Sequence, residues 1–117
     1  MVPRILCGLL ALISVGQVAG HTYYRETLTS IWTSTHERVE VIGTVAVVTL
    51  RQDRAITFRI RDEQGRVLGC LWPPGKGEQP RVGVTIRVSG VRHRFEVPHL
   101  GYVVTEIDPV EHVEPLE

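Results

Sequence analysis

The groups best placed for chemistry are arginines on alternate positions of one apolar stretch. In Ile56-Thr57-Phe58-Arg59-Ile60-Arg61, a strand would turn Thr57, Arg59 and Arg61 to one side and the apolar side chains to the other. Arg51 and Arg54 lie just before it, and Trp72 ends the next apolar run. Arginine presents a planar fork of donors to phosphate or carboxylate and stacks on flat rings. An aromatic beside such cations is a stacking platform worth about 1–3 kcal/mol per base. Thr57, Arg59, Arg61, Trp72, Arg51 and Arg54 are therefore the expected contacts of an anionic or flat ligand. The same residues also suit a solvated arginine face beside a packed tryptophan, and residue type alone does not separate the two.

Other chemistries find little support. There is no G-x-S-x-G, and Cys70 has no neighbouring signature of a Cys–His pair. Asp62 and Glu63 are adjacent, so they point apart and read as turn residues, not as an acid–base pair. Gly75-Lys76-Gly77 lacks the spacing and the hydroxyl residue of a phosphate loop. His93 and His99 flank Pro98, and no cysteine or carboxylate pair completes a zinc site at the usual spacing, so no metal is expected there. His21 would become the N-terminus if the chain were cut after Gly20. Its α-amine and imidazole would then suit one Cu(II), which resembles the copper brace of exported copper-binding and polysaccharide-oxidising proteins at that single residue. The expected class is a binding or accessory module without cofactor, not an enzyme.

A cut after Gly20 is itself expected. Met1–Arg4, an apolar run from Ile5 to Val15, and Val18-Ala19-Gly20 have the form of a signal peptide. Removing it from the 117 residues leaves 97 and places the protein in the periplasm or outside the cell. If it stays, residues 5–20 would anchor the chain to the membrane; no other apolar run nears the about 18 residues of a span. Cys7 falls within the leader, so Cys70 would be the only mature cysteine, either buried and inert or paired between chains.

Charge is divided along the chain. Residues 21–105 carry 12 basic and 8 acidic groups, a net of +4, and 11 of those 12 cations are arginine. Five acids fall in the last twelve residues. A body of that charge permits an anionic partner without requiring one.

The elements that must position these groups are strands. Glycine or proline interrupts every run after residue 20, and apolar residues recur with period two. The first strand is expected to turn Val39, Val41, Gly43, Val45 and Val47 inward, with Gly43 letting it coil. The second turns Ile56, Phe58 and Ile60 inward. Asp62-Glu63-Gln64-Gly65 forms a turn into a third strand over Val67–Trp72. Residues 73–80, rich in proline and glycine, read as a loop. Val82, Val84, Ile86 and Val88 mark the fourth strand. Past Gly90 the chain either continues it or begins the next connection. Tyr102–Ile107 is the fifth strand. Residues 21–35 form a lead-in, as a short helix or an extra strand, and the acidic end after Pro109 is expected to fray. Five strands in so short a chain suit a closed barrel, which leaves few unpaired edges.

Three blocks carry a family resemblance: Val39-Glu40-Val41-Ile42-Gly43-Thr44-Val45, the run from Ile56 through Asp62 and Gly65 to Val67, and Gly83 through Val88 and Gly90 to Val91. In that order they resemble the OB-fold nucleic-acid-binding domain, in particular its tRNA-anticodon-like group, over about residues 36–113. The resemblance implies an all-β, five-stranded Greek-key barrel preceded by the signal peptide of residues 1–20 and followed by an acidic tail at 114–117. It also implies single-stranded nucleic acid, or another anionic ligand, on the face of the second and third strands. Exported relatives of this barrel include bacterial periplasmic stress-associated proteins and the haem chaperone of cytochrome c maturation. No counterpart of the chaperone's haem-attaching motif is evident, His93 and His99 being the nearest residues. An envelope protein-interaction or structural module is the alternative function.

Overall fold

The computed structural model describes residues 15–18, 20–77 and 79–116, with side chains from residue 20 onward. Most of the segment expected to be a signal peptide, Cys7 included, lies outside the described residues. Seven strands run in order: β1 (Val15–Val18), β2 (His21–Arg25), β3 (Arg38–Leu50), β4 (Ile56–Arg61), β5 (Val67–Trp72), β6 (Thr85–Val97) and β7 (Tyr102–Leu116). A 3-10 turn, Ser30–Trp32, separates β2 from β3.

Strands β3 to β7 close into a five-stranded barrel of neighbour order β3-β4-β5-β7-β6, with β6 pairing back on β3. The all-β, closed five-stranded barrel expected from the alternation is thus the fold. Its closure depends on β3 serving two partners. Residues 38–44 pair with β6 and residues 44–50 with β4. Gly43 sits at that changeover, where a Cβ would stand 2.9 Å from the Cβ of Ile60. Only a residue without a side chain lets β3 press so closely on β4.

The core follows period two. Val39, Val41, Val45, Phe58, Ile60, Leu68, Cys70, Trp72, Ile86, Val88, Ile107 and Val110 all face inward. Cys70 is fully enclosed, and burial pushes its thiol well above the ordinary range. The lead-in, expected as a short helix or an extra strand, supplies the strand β2, followed by the 3-10 turn. β2 adds to the barrel edge parallel to β3, and Leu28 and Ile31 from the turn region are buried against the core. Tyr23 of β2 is also buried, and its hydroxyl donates to Glu111 Oε1 at 2.8 Å.

Three expectations need correction, and one that was left open is decided. Val47 points outward because a bulge between Val45 and Val47 inverts the alternation, so that Val48 packs inward instead. Val82 lies in an exposed turn, and β6 begins only at Thr85. Past Gly90 the chain continues as strand up to Val97. The acidic end is β-strand through Leu116. Val110 is buried and Val113 packs on the core, while Glu111 pairs with Arg38 at 3.0 Å and Glu114 with Arg87. Buried valines on one side and ion pairs on the other hold as strand what charge alone suggested would fray.

Candidate functional site

The strand pairing decides what flanks each arginine of β4. On the outer face Thr57 lies between Thr49 and Leu71, Arg59 between Val47 and Gly69, and Arg61 between Thr44 and Val67. A groove of about 570 Å³ crosses this face, lined by Trp32, Val47, Thr57, Arg59, Gly69 and Glu106 among others. Thr57 and Arg59 are thus brought together as expected, on the floor of one groove.

The remaining expected contacts are dispersed. Arg61 opens into a second cleft of about 610 Å³, beside Arg25, Glu40, Thr44 and Arg66. In that cleft Arg25 is paired with Glu40 at 3.1 Å and Arg66 with Asp62 at 2.8 Å, whereas Arg61 has no ion pair among the described residues. Asp62 shapes the turn below. Burial raises its carboxyl, but hydrogen bonds from Arg66 side chain and backbone outweigh this and hold it below the ordinary value. Arg51 and Arg54 occupy the exposed β3–β4 loop. Arg51 is paired with Asp53 at 3.3 Å, and Arg54 takes a left-handed conformation at φ 69°. Asp53 organises the loop by accepting from the Ala55 amide at 3.1 Å.

Trp72 is not on this face. Its register opposite Ile56 turns it inward, and only 6% of it is exposed. The indole packs in the core, at the margin of a third cleft of about 650 Å³ shared with Lys76, Arg81 and His112. Period two places Trp72 with Leu68 and Cys70, so its inward position was readable from the strand; choosing it as a contact overlooked that parity.

The exposed aromatic of the groove is Trp32, Phe58 being buried beneath it. It is 37% exposed, and its Nε1 donates to the Leu28 carbonyl at 2.9 Å, which fixes the ring. No signal in the sequence pairs Trp32 with β4. The placement follows from Ile31 next to it, which is fully buried and pins the turn against the core.

Of the histidines, His21 opens β2 with its ring 6.4 Å from that of Tyr23. His99 is exposed in the β6–β7 turn, and His93 is on β6 directly across from Glu106. Among the described residues no helix is long and apolar enough to cross a membrane. No protein-family model and no curated protein matches this chain.

Proposed function

We propose that this chain is a small binding module, acting as an accessory protein and not an enzyme. Its groove over β3, β4 and β5 takes single-stranded nucleic acid or another anionic ligand with flat rings. One observation carries the reading: Arg59 and Arg61 stand two residues apart on the outer face of β4 with no carboxylate partner among the described residues. Arg54, Arg92 and Arg94 also lack one among those residues but lie off that face, and Arg25, Arg38, Arg51, Arg66 and Arg87 are each paired. An exposed arginine without a partner keeps its fork of donors available to an incoming anion. Trp32 adds a fixed ring beside Arg59, which is the pairing of cation and platform that single strands require. The resemblance of the three blocks to nucleic-acid-binding OB-folds points to the same face.

The test is fluorescence anisotropy with a labelled single-stranded oligonucleotide at several salt concentrations. Arg59→Ala together with Arg61→Ala is expected to weaken binding and to flatten the salt dependence by about 1.4 in logarithmic slope, two phosphate contacts at about 0.7 each. Unchanged affinity and slope would remove the site.

A second reading has its own observation. Phe95, Leu100, Tyr102 and Val103 form an exposed apolar end of the β6–β7 hairpin, Leu100 at 62%. Such a patch suits a protein partner in the envelope, which the export signal would bring within reach. Under that reading Leu100→Ser abolishes capture of the partner, and oligonucleotides bind weakly with or without the arginines.

A further inference from the structure

His93 and Glu106 are thirteen positions apart in sequence yet are direct cross-strand partners of β6 and β7. Asp108 follows two residues after Glu106, on the same side of β7. The register passes from Gly90 opposite Val110 to Arg92 opposite Ile107, so that Asp108 and Pro109 together oppose Val91. This bulge leaves Asp108 without a cross-strand residue of its own. One ligand atom from each of His93, Glu106 and Asp108 lies within 4.8 Å of the other two, and His93 Nδ1 stands 3.8 Å from Glu106 Oε1.

We propose that His93, Glu106 and Asp108 form a binding site for one divalent first-row transition ion, held through one imidazole nitrogen and two carboxylates. The donor set decides the class. Without a thiolate it does not favour Cu(I), and the imidazole makes it a poorer match to Mg²⁺ or Ca²⁺ than to Zn²⁺ and its neighbours. Ligand atoms around such an ion at about 2.0–2.2 Å sit about 3–4.4 Å from one another. His93 is exposed on one side, its ring stacked on Phe95 at 5.3 Å between centroids, so a small turn of the imidazole closes the set.

Charge fits this use: among the described residues the site is short of compensating cations. Burial and then the adjacent Asp108 push the Glu106 carboxyl above its ordinary value. The groups that oppose this are His93, chiefly through its contact with the carboxylate, and Arg51, which is already paired with Asp53. A bound dication would relieve the repulsion between the carboxylates, and three protein ligands would leave positions for water or for a ligand anion.

The site shares Glu106 with the groove beside Arg59, but the inference does not depend on the nucleic-acid reading and is tested without any nucleic acid. Calorimetric titration of the untagged full chain with Zn²⁺ is expected to show one site per chain. Asp108→Asn, Glu106→Gln and His93→Ala should each weaken it by about tenfold or more. His99→Ala, in the exposed turn nearby, should leave it unchanged, and Ca²⁺ should not compete. The two amide variants keep the shape of the native side chains, so their melting temperatures should stay close to the parent's. Absence of a one-to-one Zn²⁺ site in the parent chain, or a site that survives all three substitutions, would overturn the proposal.

Discussion

Gly90 shows how a single residue governs the back of the barrel. A Cβ there would lie 2.4 Å from the Pro109 carbonyl oxygen and 2.6 Å from Ile107 Cγ2. Because the nearest atom is backbone, the clash is relieved only by moving β7. Gly90→Ala is therefore expected to cost about 1–3 kcal/mol, read as a lower urea midpoint. The Tyr23–Glu111–Arg38 cluster makes a second claim at this scale. Burial raises the Glu111 carboxyl, but the hydrogen bonds from Arg38 and then from Tyr23 outweigh it, and Glu111 titrates below its ordinary value. The same burial and the neighbouring carboxylate push the Tyr23 hydroxyl up to about 12. A carboxyl depressed in the folded state contributes stability that is present above the ordinary carboxylate pKa and is lost as pH falls through the folded value. Tyr23→Phe should thus cost about 1–3 kcal/mol near neutrality. The gap in melting temperature between parent and variant should narrow on the acid side; a gap independent of pH would contradict the charge-assisted bond.

At the scale of elements, the alternation in 56–60 and 68–72 was enough to place the core of β4 and β5, because both strands are short and unbroken. It failed where strands are long. A bulge in β3 turns Val47 outward, and the length of β6 and β7 depends on partners far along the chain. Cross-strand register is not a local property, which is why Trp32 beside Arg59, and Glu106 beside His93, could not be read from spacing. The three blocks of the OB-fold resemblance lie in β3, in β4 with its turn into β5, and around β6, where local pattern and fold agree. The lead-in yields a prediction of its own. Among the described residues β1 pairs only with β2, whereas β2 also pairs with β3 and carries the buried Tyr23. A chain beginning at His21 is expected to fold with the same circular dichroism and nearly the same melting temperature. A chain beginning at Thr27, lacking β2, should melt markedly lower.

For the whole molecule, the division of charge reads differently in three dimensions than along the sequence. Part of the acidic end is consumed by the barrel itself, with Glu111 on Arg38 and Glu114 on Arg87, while Arg59 and Arg61 of β4 have no ion pair among the described residues. The central claim is that this face, with Trp32 and Arg59, is where a ligand docks. The most direct measurement is a two-dimensional amide and indole NMR spectrum of the labelled chain during titration with a single-stranded oligonucleotide of about eight nucleotides, within the usual site size of such a barrel. The expected result is saturable shifts confined to the Trp32 indole, to residues 47–49, 57–61 and 67–71, and to the neighbouring part of β7. Shifts confined to the β6–β7 hairpin end, or no saturable shifts at low salt, would contradict it.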